Sequence, residues 1–275
     1  MGIIGLILGL LIGTAAKLFK VKKDSRIDLV LELLPGANCG GCGKAGCADF
    51  AKAVVSGELP PGKCPATPQE NIAVITQLLG IENSAEFRKT AVVLCGGDIN
   101  QTINAIRYNG ISDCRSAAII AGGPKECPHG CLGLGTCAGS CPFGAIEIIN
   151  GLAVIHQELC VGCGKCAAVC PRKLIKLVNA DAQVHIYCST PEKAPLKRQY
   201  CKVPCIGCRK CEKTFPDNFK PDGLKVSVNY DAETFVSEKD IESVNCPTQC
   251  LLSSAQHLAV EHSNPDHKQT EEVQS

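Results

Sequence analysis

The sequence predicts an α+β protein: an N-terminal membrane helix, a small α-rich domain, and then βαβ repeats. Three observations predict it. The chain opens on an uncharged apolar run. Its 21 cysteines among 275 residues fall into runs at short, recurring spacings. And one stretch, CPFGAIEIINGLAVIHQELC, joins two of those runs over the length of a β-hairpin.

Cysteine at this density belongs either to a secreted disulfide scaffold or to a metal protein. Disulfide scaffolds are short, and this chain is not. Runs of C-x2-C-x2-C followed by C-P suit a metal cluster better than crossing bridges. Such ligands must be reduced thiolates, so a reducing compartment is expected. Net charge is +1, which gives no basis for nucleic-acid binding. With no Trp, four Tyr and seven Phe, large aromatic cores are not expected. Metal clusters can staple small domains that lack them.

The opening run, GIIGLILGLLIGTAA, ends at Lys17, with Leu18 and Phe19 extending it. That is the low end of the ~17–25 residues a span needs, and Lys17 can snorkel. Residues 1–20 therefore read as a single-pass transmembrane anchor in the cell (inner) membrane, with lipid around it. Lys20, Lys22, Lys23 and Arg26 follow, which places the bulk of the chain on the cytoplasmic side. A cleaved signal peptide fits poorly, because no basic leader or A-x-A site is present. Gly5, Gly9 and Gly13 form overlapping G-x-x-x-G spacings that could face another helix.

Residues 21–90 read as an N-terminal domain for one cluster. Cys39-x2-Cys42-x4-Cys47-x16-Cys64 supplies four thiolates, with small residues around the first three. A four-cysteine zinc site is the rival reading of this spacing. DFAKAVVSGE reads as a helix with Phe50, Val54 and Val55 on its apolar face, and residues 70–80 as another ending at Gly80. Residues 91–125 form a connecting segment. In it AVVLCGG reads as a strand and turn, and INQTINAIRYNG as a helix with a glycine stop; Cys95 and Cys114 stand apart from the runs.

Residues 126–186 read as a two-cluster ferredoxin domain. Cys160-x2-Cys163-x2-Cys166-x3-Cys170-Pro171 is the bacterial ferredoxin run, whose fourth cysteine ligates the other cluster of the pair. Its partner is Cys127-x3-Cys131-x5-Cys137-x3-Cys141-Pro142. The swap rule gives cluster one Cys127, Cys131, Cys137 and Cys170, and cluster two Cys160, Cys163, Cys166 and Cys141. Residues 187–254 read as a degenerate ferredoxin domain with one cluster. Phe215 stands where a fourth cysteine is expected and FVSEKDIES where a second triplet is expected, so both losses fall on one cluster. Cys205, Cys208, Cys211 and Cys246 hold the one that remains; assigning Cys188, Cys201 or Cys250 to it instead is an open alternative. Cys95, Cys114, Cys188, Cys201 and Cys250 otherwise read as buried thiols. Residues 255–275 read as a disordered tail. The total is four [4Fe-4S] clusters, the fourth resting on the degenerate half.

No dinucleotide fingerprint or phosphate loop is present, and no catalytic residue set can be named. His129 lies inside a cysteine run and reads either as a neighbour of cluster sulfur or as a loop histidine. Lys44, Lys165, Arg172, Lys173 and Lys176 lie near the cysteines and could steer an acidic redox partner, or form a solvated face.

The order of these parts, with CGGCGKAGC, LCGGDINQTINAIRYNGISDC and CPHGCLGLGTCAGSCPFGAI, resembles the B subunits of Rnf complexes over roughly residues 1–255. The resemblance implies an electron-transfer subunit of an ion-translocating oxidoreductase. Such a subunit accepts electrons from soluble reduced ferredoxin, docks on other Rnf subunits and feeds a ferredoxin/NAD couple linked to Na⁺ or H⁺ transport. Carried over by position, Cys39, Cys42, Cys47 and Cys64 match the family's N-terminal cluster, and Cys127 to Cys170 its ferredoxin domain. A ferredoxin-like subunit of another membrane complex, such as a hydrogenase or a redox-regulator reducing system, is the alternative. A zinc-stapled interaction module is the reading from a different class.

Overall fold

The computed structural model describes residues 5, 9, 10, 12–14, 24–81, 87–120 and 122–262. The anchor expected over residues 1–20 falls largely outside these residues, as does the tail beyond 262. Among the described residues no helix is long and apolar enough to cross a membrane.

Helices α1 (Ser25–Leu33), α2 (Cys47–Val55) and α3 (Gln69–Leu79) build the first unit. Asp24 caps α1 by accepting the Arg26 N–H, and Gly80 ends α3 in the left-handed conformation. Phe50, Ala51 and Val54 on one face of α2 meet Val30 and Ile75, all buried, and Val55 packs at the edge of the same group. Phe50, Val54 and Val55 are the apolar positions expected from the spacing.

The rest of the chain forms two similar units, each closed by its own first and last strands. In one, β1 (Lys89–Val93) pairs antiparallel with β4 (Ile175–Asn179), and β2 (Ile146–Ile149) with β3 (Leu152–Ile155) through a tight Asn150-Gly151 turn. In the other, β5 (Val184–Ile186) pairs with β8 (Leu251–Ser253), and β6 (Phe219–Asp222) with β7 (Lys225–Val228). Short helices lie between the strands: α4 (Cys114–Ile120), α5 (Thr136–Gly139) and α6 (Lys165–Val169) in one unit. In the other they are α7 (Ala194–Tyr200), α8 (Lys210–Thr214) and α9 (Glu238–Val244).

The pairing moves the boundaries. β1 lies at the junction of the expected N-terminal and connecting segments, yet it closes the unit that ends at β4. β5 belongs with β8, not with the unit before it. Residues 99–110 are not a helix. The Asp98 carboxylate turns the chain by accepting the Asn100 and Gln101 N–H groups, and Thr102 and Asn104 then form bridges to Cys201 and Lys125. Tertiary pairing overrides a helical pattern there. A last helix, α10 (Ser254–His262), occupies the start of the expected tail. It is held by Ser253 Oγ accepting the Gln256 N–H and by His257 stacking on Tyr187 with ring centroids 3.8 Å apart.

Candidate metal centres

The N-terminal cysteines converge on one loop and one helix start. Cys39 and Cys42 lie on the loop before α2, Cys47 is the first residue of α2, and Cys64 follows a 3-10 turn, Pro61–Lys63. Asn38 Oδ1 accepts the Cys47 N–H at 2.8 Å and so pins the loop to the helix. Cys64 lies within electrostatic reach of Cys42 and Cys39, and burial pushes its thiol up.

Cys141, Cys160, Cys163 and Cys166 line one space, walled by Ala91, Ile146 and Ile155. The Ala91 N–H of β1 donates to Cys160 Sγ at 3.3 Å. Cys163 and Cys166 accept N–H groups of Lys165 and Ala167, at the start of α6. The N-terminal loop lies directly on this site. A Cβ on Gly41 would stand 3.0 Å from Cys163 Cα and from Pro65 Cγ, so only glycine allows the contact. Cys39 lies within electrostatic reach of the Cys163 thiol.

A second space in the same unit is lined by Cys131, Cys137, Cys170 and Cys114. Cys114 is brought there by a staple. Its N–H donates to Thr136 Oγ1 at 2.7 Å, and Thr136 Oγ1 donates to Asp113 Oδ2 at 3.0 Å, tying the start of α4 to the start of α5. Cys127 is placed elsewhere: its sulfur lies 3.4 Å from Thr190 Oγ1. No spacing in the sequence marks Cys114 as a member of this group.

The third region gathers Cys205, Cys208, Cys211, Cys246 and Cys250 around one space. Cys250 Sγ lies 3.8 Å from Cys246 Sγ, with either sulfur able to donate, and Cys205 lies within hydrogen-bonding reach of it as well. That contact with Cys250 holds both Cys205 and Cys246 below the ordinary thiol range. The Lys197 ammonium, 1% exposed, donates to Cys205 O at 2.9 Å and Leu224 O at 3.0 Å. Where a second triplet is missing, α9 stands with Ile241 and Val244 buried, and Phe215 packs on the same apolar group.

The donor sets fit iron–sulfur clusters. Thiols surround small, largely apolar spaces, and backbone N–H groups point at sulfur, which tunes cluster potential. Burial pushes Cys137, Cys166 and Cys211 up to about 12. Thiolates at such places need a cationic partner, which the iron of a bound cluster would supply. Among the described residues no three His, Cys, Asp or Glu side chains are drawn together as a single ion would need. Of the other residues singled out in the sequence, Lys44 pairs with Glu58 at 2.5 Å, Arg172 donates to Gly122 O, and His129 lies 3.8 Å from Glu192.

Comparison with known proteins agrees with this chemistry. A family model for an Fe-S cluster matches residues 34–66, and one for a 4Fe-4S binding domain matches residues 153–176. The B subunit of the ion-translocating oxidoreductase complex of Methanosarcina acetivorans is 41% identical over 78% of this chain and 81% of its own length. The B subunit of the proton-translocating ferredoxin:NAD(+) oxidoreductase complex of Clostridium ljungdahlii is 42% identical over 74% of this chain and 73% of its own. Its Na(+)-translocating counterpart in Acetobacterium woodii is 36% identical, over 74% and 62%. The thiol-lined sites and these relatives together place the chain in the family of B subunits of Rnf-type ion-translocating oxidoreductase complexes.

Proposed function

We propose that this chain is a membrane-anchored electron wire. It takes electrons from reduced soluble ferredoxin and passes them to other subunits of an Rnf-type complex that couples ferredoxin/NAD redox to Na⁺ or H⁺ transport. The observation that carries the reading is the contact between sites: Gly41 lies on Cys163, and the spaces holding Cys163 and Cys137 share one unit.

Four ligand sets follow. They are Cys39, Cys42, Cys47 and Cys64; Cys141, Cys160, Cys163 and Cys166; Cys131, Cys137 and Cys170 with Cys114; and Cys205, Cys208, Cys211 and Cys246. When bound, each cluster supplies a one-electron couple. The protein's own work is to hold thiolates, exclude water and aim N–H groups at sulfur. With Cys246 as a thiolate, Cys250 would donate its S–H to it across 3.8 Å and stabilise the charge. Exposed Lys173 and Lys176, with Lys165 half-buried beside Cys166, offer a positive face to an acidic ferredoxin. Residues 1–20 hold the wire at the membrane, with the remainder on the cytoplasmic side.

The test uses the full chain purified anaerobically. Iron and acid-labile sulfide are counted at about four of each per cluster. Reduced ferredoxin is then added, and EPR signals of reduced cubanes are expected to appear. Zinc with little iron, or clusters that reduced ferredoxin leaves oxidised, overturns the reading. Removal of residues 1–20 is expected to release the chain from membranes.

A further inference from the structure

Cys95, Cys127, Cys188 and Cys201 belong to none of those sets. We propose that these four hold a further [4Fe-4S] cluster, seated between the two strand-closed units and relaying electrons from one to the other.

The two units contribute to this site in the same way. Cys95 stands two residues beyond the end of β1, and Cys188 two residues beyond the end of β5. Each N–H bonds back to the last strand residue, Cys95 to Val93 O and Cys188 to Ile186 O, both at 2.9 Å. Cys127 and Cys201 also correspond. Each stands at x3 spacing before the first cysteine of its unit's ligand run, Cys131 and Cys205. A pair of cysteines from each unit, at equivalent positions, is what a site on a pseudo-twofold axis requires.

The backbone brings the pairs together. Gly96 N–H donates to Tyr187 O at 2.9 Å and Ser189 Oγ to Leu94 O at 2.9 Å, so Cys95 and Cys188 run side by side. Ile103 N–H donates to Tyr200 O, and Glu126 N–H to Ile103 O, which sets Cys201 near Cys127. A Cβ on Gly97 would stand 3.6 Å from Cys201 Sγ and 3.7 Å from Cys95 Sγ. Cys188 and Cys127 both lie within electrostatic reach of Cys201. All four are buried or half-buried.

The surroundings suit a cluster. Cys95 Sγ accepts N–H groups from Cys131 and Gly97, and Cys201 Sγ from Val203. The Lys125 ammonium, 4% exposed, is held by Gly97 O and Gly151 O at 2.6 Å each and faces Cys95. A cation beside four thiolates offsets their charge without consuming a ligand.

The site also lies on the route. Cys131, whose N–H reaches Cys95 Sγ at 3.4 Å, belongs to the neighbouring set. Cys201 is joined by three residues to Cys205 of the other. The step is one electron: the donor cluster passes from [4Fe-4S]¹⁺ to [4Fe-4S]²⁺, the acceptor does the reverse, and no bond breaks.

The full chain, purified anaerobically with its clusters, is compared with Cys188→Ser, Cys201→Ser and the double variant. Each is expected to lose about four iron and about four sulfide, and the same single EPR component. Native mass spectrometry of the unaltered chain, which does not depend on any variant folding, is expected to show five [4Fe-4S] units. Four units there, an unchanged iron count in the double variant, or one zinc ion at this site overturns the proposal while leaving the four-set wire standing. Zinc throughout with little iron would instead defeat the wire itself.

Discussion

Gly162 lies in the ligand loop between Cys160 and Cys163 with φ +70°. A Cβ at this position would stand 2.8 Å from the carbonyl carbon of Lys89, and closer still to its oxygen. Gly162→Ala therefore carries two costs. A left-handed backbone with a Cβ costs ~1–2 kcal/mol. Overpacking against backbone costs ~1–3 kcal/mol more, since β1 must withdraw to restore a carbon–carbon separation of ~3.5 Å. The sum, about 2–5 kcal/mol, falls on a strand whose Ala91 N–H bonds to Cys160 Sγ. The expected result is loss of about four iron from the chain and of one reduced-state EPR component. Gly139→Ala is the control: no atom lies within 4 Å of a Cβ there, and its φ is not positive. Iron content and unfolding midpoint are measured for both. Equal values in the two variants refute the reasoning.

Three further outcomes follow from the geometry. Cys114→Ser is expected to remove the cluster of Cys131, Cys137 and Cys170, while Cys127→Ser leaves it in place. Each variant is expected to lose about four iron, so the EPR component that disappears distinguishes the two; loss of this cluster's component in Cys127→Ser and its retention in Cys114→Ser would restore the assignment made from spacing alone. Lys197→Met removes a buried cation beside Cys205 and leaves two carbonyls without a donor. It should lower the potential of that cluster by on the order of 100 mV, about 2 kcal/mol at an effective dielectric of ~20. A redox titration that shows no shift defeats this. Burial lowers His185 to about 3 and His257 to about 4. The folded state then binds fewer protons than the unfolded one, so stability is full above pH ~6.5 and falls as pH drops towards those values. Each ring contributes ~1.4 kcal/mol per pH unit in that window. His185→Asn should reduce the slope between pH 6 and 5 by about that amount, and an unchanged slope argues against the buried ring.

Local features were legible in the sequence, and long-range ones were not. Phe50 and Val54 mark the buried face of α2, and Gly80 ends α3, because both depend on residues within two turns. The Cys160–Cys166 run also speaks for itself, since its loop is wrapped by its own spacing. The closure of β1 on β4 joins residues far apart in sequence, and no pattern in either strand names its partner. That is why the unit's first strand reads as connector. Cys114 is recruited by the Asp113–Thr136 staple, which carries no periodic signal. Cys127 was readable in principle. The same x3 lead before Cys131 and before Cys205 marks Cys127 and Cys201 as equivalent residues, so whatever sets one apart from its run sets the other apart too. The apparent helix at 99–110 failed for a different reason: the Asp98 turn and the bridges to Cys201 and Lys125 took its hydrogen bonds first.

The N–H of Cys131 reaches the sulfur of Cys95. Clusters bound on either side of that one peptide group would be coupled: an electron held on one would raise the cost of loading the other. Such a pair would favour passing electrons onward over storing two at once.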